Sequence, residues 1–252
     1  MLTDTHCHLF YEELEVDLPE ILKRANESGV KRLICIGTNI KDSKKCLKIC
    51  DDYNNIFASV GVHPHEARGV SDNFEEHIYQ MTQNKAVVAI GEMGLDYYRN
   101  ISSPDIQKDI FKKQLTIAEE LSLPVVIHNR DSDTDLLSIL ANFKAVIGVA
   151  HCFSGQLETA KRFLELGYYI SFSGNLTFKN SHLPEIAQSI PLNRTLIETD
   201  SPFLSPAPFR GRINEPGRVG LVAKKLSEIH NISYEKIAEI TSFNASRLFK
   251  IC

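Results

Sequence analysis

No run of apolar residues in this 252-residue chain approaches the roughly 18 that a membrane-spanning helix needs, so none is expected. Surplus positive charge is missing too: 28 Lys and Arg against 32 Asp and Glu leave a formal net charge of -4. Dedicated duplex-binding domains are usually basic, so any contact with nucleic acid falls to a local patch. The first residues lack the basic-then-apolar layout of a secretory signal. Six cysteines, at positions 7, 35, 46, 50, 152 and 252, include no CxxC pair and no spacing typical of a small disulfide-stapled fold. Reduced thiols in a cytoplasmic protein are the expectation, with Cys46 and Cys50 buried four apart on one helix. Linkers, internal repeats and low-complexity stretches are absent as well.

What is present is a globular composition, 43% hydrophobic and 24% charged, sufficient for a large core. Short β-branched runs alternate with helical segments along the chain. Strands are expected at 2–8, 31–37, 56–63, 87–93, 124–129, 145–151, 168–173 and 195–200. Most are near-continuous apolar runs, as parallel strands covered by helices require. Helices are expected at 18–28, 42–53, 72–83, 103–121, 134–142, 157–166, 182–189, 216–230 and 234–248. In the first, Leu18, Ile21, Leu22 and Ala25 share a face, and Gly29 is placed to end it. In 103–121, Ser103 suits the N-cap and Pro104 the first helical position, with Ile106, Ile110, Ala118 and Leu121 on the buried face.

Eight β/α alternations in 252 residues predict an α/β protein of one domain, a (β/α)8 TIM barrel spanning 1–252. An open doubly wound sheet would want a Gly-rich phosphate turn after its first strand, and the chain has His-Cys-His there instead.

Six residues of metal-ligand type fall at or near the C-terminal ends of the expected strands. They are His6 and His8 on the first, Glu92 on the fourth, His128 on the fifth, His151 on the sixth and Asp200 on the eighth. In a barrel these ends meet at one mouth, where active sites are built. Four imidazoles and two carboxylates exceed the needs of one closed structural zinc. The set suits two divalent ions sharing a bridging carboxylate, or one ion with open positions. Strand alternation sends His6 and His8 to one side and Cys7 to the other, so the thiol is expected to pack against helices rather than bind metal. Asp4 has the histidines' parity and is expected one layer deeper, and Cys152 is expected opposite His151.

The stretches HCH (6–8), GVHPH (61–65), GEMGLDYY (91–98), HNRD (128–131), HCFSG (151–155), ETDSPFL (198–204) and PFRGRINEP (208–216) occur in an ordered series. That series resembles the TatD family of metal-dependent deoxyribonucleases over essentially the whole chain. Met93 stands where the family commonly carries isoleucine, a mild apolar exchange. The resemblance implies an amidohydrolase-type barrel that hydrolyses DNA phosphodiesters, often exonucleolytically. It also implies two divalent cations (Mg, Mn, Zn or similar), with His6, His8 and Asp200 on one, His128 and His151 on the other, and Glu92 bridging.

The chemistry of the residues agrees with those roles. Paired cations lower the pKa of a water and hold a phosphate oxygen against it. Asp200 then orients the attacking water or takes its proton. Arg130, two residues after His128, has the planar fork that suits phosphate, the alternative being an ion pair with Asp131 or Asp96. The resemblance makes His63 a substrate-side residue or a support behind the ligands, the alternative being a loop histidine that caps the turn; His65 is left without a role, and Asp96 is expected to orient a ligand histidine near the substrate. His77, His182 and His230 fall in helices or their caps and read as ordinary surface or packing residues. Beyond Asp200, the stretch 206–218 carries Arg210, Arg212 and Arg218 among prolines and glycines. It reads as a stiff connection or as a basic rim for a phosphate backbone, with Arg210 given a substrate contact. Phe203, Phe209, Tyr97 and Tyr98 either belong to the core or stack bases of single-stranded or frayed DNA.

The same barrel and ligands would equally serve an ester or amide hydrolase such as an aminoacyl-tRNA deacylase. A non-catalytic metal-binding protein would be expected to lack a ligand, and all six are present.

Overall fold

A computed structural model describes residues 1–251. Its strands are β1 (Leu2–Cys7), β2 (Val30–Ile36), β3 (Ile56–Val60), β4 (Val87–Asp96), β5 (Val125–Arg130), β6 (Gly148–Ala150), β7 (Tyr169–Phe172) and β8 (Thr195–Ile197). They form one parallel sheet in chain order. A bridge between Cys7 at the end of β1 and Ser201 just past β8 brings first and last strands together, which makes the fold a (β/α)8 TIM barrel. The helices are α1 (Glu12–Glu15), α2 (Leu18–Glu27), α3 (Ile40–Asp52), α4 (Phe74–Met81), α5 (Pro104–Leu121), α6 (Asp133–Leu140), α7 (Leu157–Glu165), α8 (Leu183–Ser189), α9 (Val219–His230) and α10 (Tyr234–Phe249). None of the described helices is long and apolar enough to cross a membrane.

Two compact units, each discontinuous in sequence, make up the chain. The first comprises Met1–Cys35, Cys152–Ala160 and the residues from Ile170 onward. Its core joins Leu2, Leu33, Ile34, Ile170, Phe172, Leu196 and Ile197 of the strands to Val222, Leu226, Ile237 and Leu248 of α9 and α10. Arg32 on β2 is buried, its guanidinium donating to Ser246 Oγ (2.6 Å) and to the carbonyls of Ser242 and Ile251 (both 3.2 Å). Those bonds satisfy a charge that burial would otherwise penalise heavily. The second unit comprises Ile36–His151 and Lys161–Tyr169. Here Ile56, Ala58, Val60, Val88, Ile90 and Val125–Ile127 of the strands are buried, as are Ile78 of α4 and Phe111 and Leu115 of α5.

Several boundaries differ from expectation where functional residues sit. β8 stops at Ile197, three residues before Asp200, and β3 stops at Val60, three before His63. β4 instead runs on to Asp96, so Glu92 lies within a strand rather than at its end. A 3-10 turn, Pro64–Gly69, follows His63, and Pro216–Arg218 is likewise 3-10 ahead of α9. Gly29, at a φ of 85°, follows α2 as expected. On α5 the expected face is wrong in part. Ile106 is exposed, and Gln107 and Gln114 are buried with Ile110, Phe111, Leu115 and Ala118. Ser103 holds the N-cap position without a side-chain capping bond. Among the described residues Cys7, Cys35, Cys46, Cys50 and Cys152 are thiols rather than disulfides, with Cys46 and Cys50 buried on α3; Cys252 lies outside the described residues.

Candidate metal centre

In the first unit β1 delivers two imidazoles to one side. His6 Nε2 and His8 Nε2 lie 3.2 Å apart, and they stand 3.6 and 3.4 Å from Asp200 Oδ1. Cys7 goes the other way, its buried thiol donating to the Ile34 carbonyl at 3.4 Å, as alternation requires. Asp200 is not on a strand. It reaches the histidines through a turn in which its own φ is 57°, with its N–H donating to the His6 carbonyl (2.9 Å). The His8 N–H donates in turn to the Ser201 carbonyl (2.8 Å).

A buried polar network fixes that turn from beneath. Asp4 Oδ1 accepts the N–H groups of Thr199 (2.9 Å) and His6 (3.3 Å), and its Oδ2 lies 2.5 Å from Thr199 Oγ1. Asn214, buried on the loop ahead of α9, donates to the carbonyls of Thr199 (2.9 Å) and Phe203 (2.8 Å). Burial in this layer pushes the Asp4 carboxyl up to about 8, against the hydrogen bonds from Thr199 and His6.

In the second unit three imidazole nitrogens converge on one carboxylate oxygen, Glu92 Oε1. The distances are 2.8 Å to His151 Nε2, 2.9 Å to His128 Nδ1 and 3.4 Å to His63 Nε2. Burial alone would raise Glu92, but His151, His63 and His128 hold it well below the carboxylate range. His128 Nε2 lies 3.0 Å from Asp96 Oδ2, so an N–H there points at Asp96 and leaves Nδ1 facing Glu92. Burial lowers the pKa of His128, yet its bonds to Asp96 and Glu92 leave it raised overall.

Those donor sets fit divalent cations. Two imidazole nitrogens 3.2 Å apart cannot both carry protons toward each other. A carboxylate oxygen likewise has fewer lone pairs than the three nitrogens aimed at Glu92. Shared lone pairs of N and O type are what Zn, Mn or similar ions accept. Asp96, behind His128, is placed to orient that imidazole.

His63 offers a different geometry. Its Nδ1 accepts the His65 N–H at 3.1 Å, which assigns the ring proton to Nε2, the atom facing Glu92. Burial lowers its pKa to about 4, so the ring is neutral and presents a donor rather than a lone pair. Asp96 is buried, not open to a substrate. Its Oδ2 also lies 2.9 Å from His65 Nε2, and its Oδ1 accepts the Arg99 N–H (2.8 Å). Against the pull of burial, these bonds hold Asp96 far below the usual carboxylate range.

Two residues that apolar periodicity misses anchor this half. Gln114 accepts the Val62 N–H (2.8 Å) and donates to the Val62 carbonyl (3.0 Å), fixing the chain next to His63. Gln107 accepts the Asp96 N–H (2.8 Å) and donates to the carbonyls of Asp96 and Ser102. Their separation of seven, on the face shared with Phe111 and Ala118, is the signal that was available. Gly94 lies beside His128 on the neighbouring strand. A Cβ there would meet the His128 carbonyl at 1.9 Å, so only glycine lets β4 approach β5 at the level of His128.

Arg130 has its guanidinium 3.9 Å over the Tyr98 ring, both residues exposed, and is not paired with Asp131 or Asp96. Arg210 stacks over Phe178 at 4.4 Å. Arg218 donates to Ser205 and to the Ile213 carbonyl, so it supports the loop rather than the rim. Cys152 lies past the end of β6 at a φ of 44°, its Sγ 3.2 Å from Ser173 Oγ. It leaves His151 because of that turn, not through strand parity.

A barrel carrying histidines and carboxylates on its strands and on the turns just past them belongs with the metal-dependent hydrolases. Among these, the model of the TatD related DNase family matches residues 3–250, and the chain belongs to that family. An uncharacterized metal-dependent hydrolase of Bacillus subtilis, YabD, is 42% identical over 100% of both chains. The 3'-5' ssDNA/RNA exonuclease TatD of Pectobacterium parmentieri is 32% identical, over 98% of this chain and 99% of its own. The crystal structure of YJJV, a TatD homolog from Escherichia coli, superposes with a TM-score of 0.94 at 30% identity, covering 100% of this chain and 98% of that one.

Proposed function

We propose that this chain is a deoxyribonuclease that removes nucleotides from single-stranded or frayed DNA ends with two divalent cations. His6, His8 and Asp200 would hold one cation and His128 and His151 the other, with Glu92 shared between them. The cations, when bound, supply a water of lowered pKa and draw off charge from the phosphate. The chain's own residues do the rest. Asp200 is only partly buried and orients the attacking water or takes its proton. The His63 Nε2–H is a neutral donor directed at Glu92, which steadies that carboxylate or an oxygen of the substrate.

The observation that favours phosphorus over carbonyl carbon is Arg130. It alternates with His128 along β5 and so shares its face, about 7 Å farther along the strand. Its guanidinium rests on Tyr98 and keeps its hydrogen-bonding edge for an anion. The exonuclease name of the Pectobacterium relative supports the same reading.

The test uses purified protein with Mg, Mn, Zn or Co and oligonucleotides labelled at either end, single- and double-stranded. Stepwise loss of nucleotides from single strands is expected, abolished in Glu92→Gln with the fold retained. Release of amino acid from charged tRNA with no strand cleavage under any metal overturns the proposal.

A further inference from the structure

One aromatic cluster in the first unit has no role in holding metal, yet one of its walls is a ligand ring. His8 lies 5.6 Å from Tyr11 and 6.1 Å from Phe203, centroid to centroid, at interplanar angles of 87° and 65°. Tyr11 and Phe203 are themselves 5.4 Å apart at 76°. Phe10, fully buried, stacks against Tyr11 at 4.9 Å and backs the group. Phe203 is 47% exposed, though its backbone is not loose. Its N–H donates to Asp200 and its carbonyl accepts from buried Asn214, both at 2.8 Å. A large apolar ring is thus held rigidly toward solvent, at right angles to a second ring and one ring's width from His8.

Single exposed apolar residues are ordinary and call for no explanation. This one differs because the turn that carries it also carries Asp200, and because exposed Arg210 and Arg212 follow on the same loop. Aromatic faces alternating with arginines suit a single strand, which stacks its bases and offers its phosphates in turn. We infer that Tyr11 and Phe203 form a stacking corner for the nucleobase next to the scissile phosphate. A base is joined to its phosphate through one sugar, so a phosphate at the metal ligands leaves its base within reach of this corner. The inference rests on the phosphodiesterase reading and adds the residues that recognise the base.

The experiment compares a labelled single-stranded oligonucleotide with the same strand carrying an abasic residue on either side of the first scissile bond. Wild type is expected to cleave the ordinary strand with the lower KM. Phe203→Ala and Tyr11→Leu are expected to raise that KM by about 5- to 100-fold, as loss of one base stack implies. On the abasic strand they should change little, and Phe203→Tyr should restore the preference. Titration with Mn2+ alone should show unchanged metal affinity in all three variants. Equal kcat/KM of wild type on both strands overturns the corner and leaves the phosphodiesterase reading standing, whereas cleavage of neither removes both. Equal losses on both strands in Phe203→Ala, or weakened Mn2+ binding, overturn it in favour of a structural role.

Discussion

Replacing Asp4 by asparagine tests the layer beneath the ligands. Thr199 Oγ1 lies within hydrogen-bond distance of Asp4 Oδ2 (2.5 Å) and of Ser201 Oγ (3.0 Å), and a hydroxyl has one proton. Thr199 donates to Asp4 Oδ2 and can accept from the Ser201 hydroxyl, so the hydrogen bonds serve the ionised and the protonated acid alike. Burial is what favours the protonated acid, pushing Asp4 up to about 8 against the bonds from Thr199 and His6. An asparagine amide can donate along the same line while its carbonyl accepts from Thr199 N–H. Asp4→Asn should therefore fold and keep metal affinity, whereas Asp4→Ala strands two buried N–H groups and should lose about 2–5 kcal/mol.

The pH dependence follows from the direction of the shift. The folded value, about 8, exceeds the unfolded one near 4, so the stabilisation from the protonated acid is complete below about pH 4. It is lost progressively as pH rises toward 8, at about 1.4 kcal/mol per unit. Asparagine does not titrate there. Between pH 5 and 8, Asp4→Asn should therefore gain roughly 4 kcal/mol relative to wild type, other groups cancelling in the difference. The assay is urea unfolding of chelator-treated protein, followed by circular dichroism because the chain has no tryptophan. A difference that stays flat with pH, or a large loss for Asp4→Asn at every pH, refutes the protonated acid.

Gly94→Ala should cost more than about 3 kcal/mol and weaken metal binding together, since its Cβ would meet the His128 carbonyl at a φ of 143°. A wild-type melting curve would refute the close approach. Cys7→Ala should leave the number of bound metal ions unchanged and lower stability by about 1 kcal/mol, and loss of one equivalent on titration would contradict the parity reading. Tyr98→Ala should raise KM for single strands about 2- to 5-fold with kcat preserved, because an exposed cation–π contact is worth about 0.5–1 kcal/mol. A fall in kcat with KM unchanged would place Tyr98 in another role.

Sequence made the alternation of β and α legible, and with it the barrel, because parallel strands must be apolar on both faces and their periodicity shows it. The side taken by His6 and His8, and the turning away of Cys7, followed from nothing more than a period of two. What stayed hidden depends on partners far along the chain. Asp200 lies beyond β8, so its approach to β1 comes from a left-handed turn and the Asp4–Thr199 contact, which spans 195 residues. No local pattern encodes that pairing. Gln107 and Gln114 break the apolar stripe of α5 because their amides serve loop backbone at Asp96 and Val62, and burial of such a group is stable only once those partners are in place. Hydropathy scored Ile106 as buried in their stead, and it is 42% exposed. The departures from simple patterning thus collect around the clustered histidines and carboxylates, where local preference yields to the geometry of the proposed site.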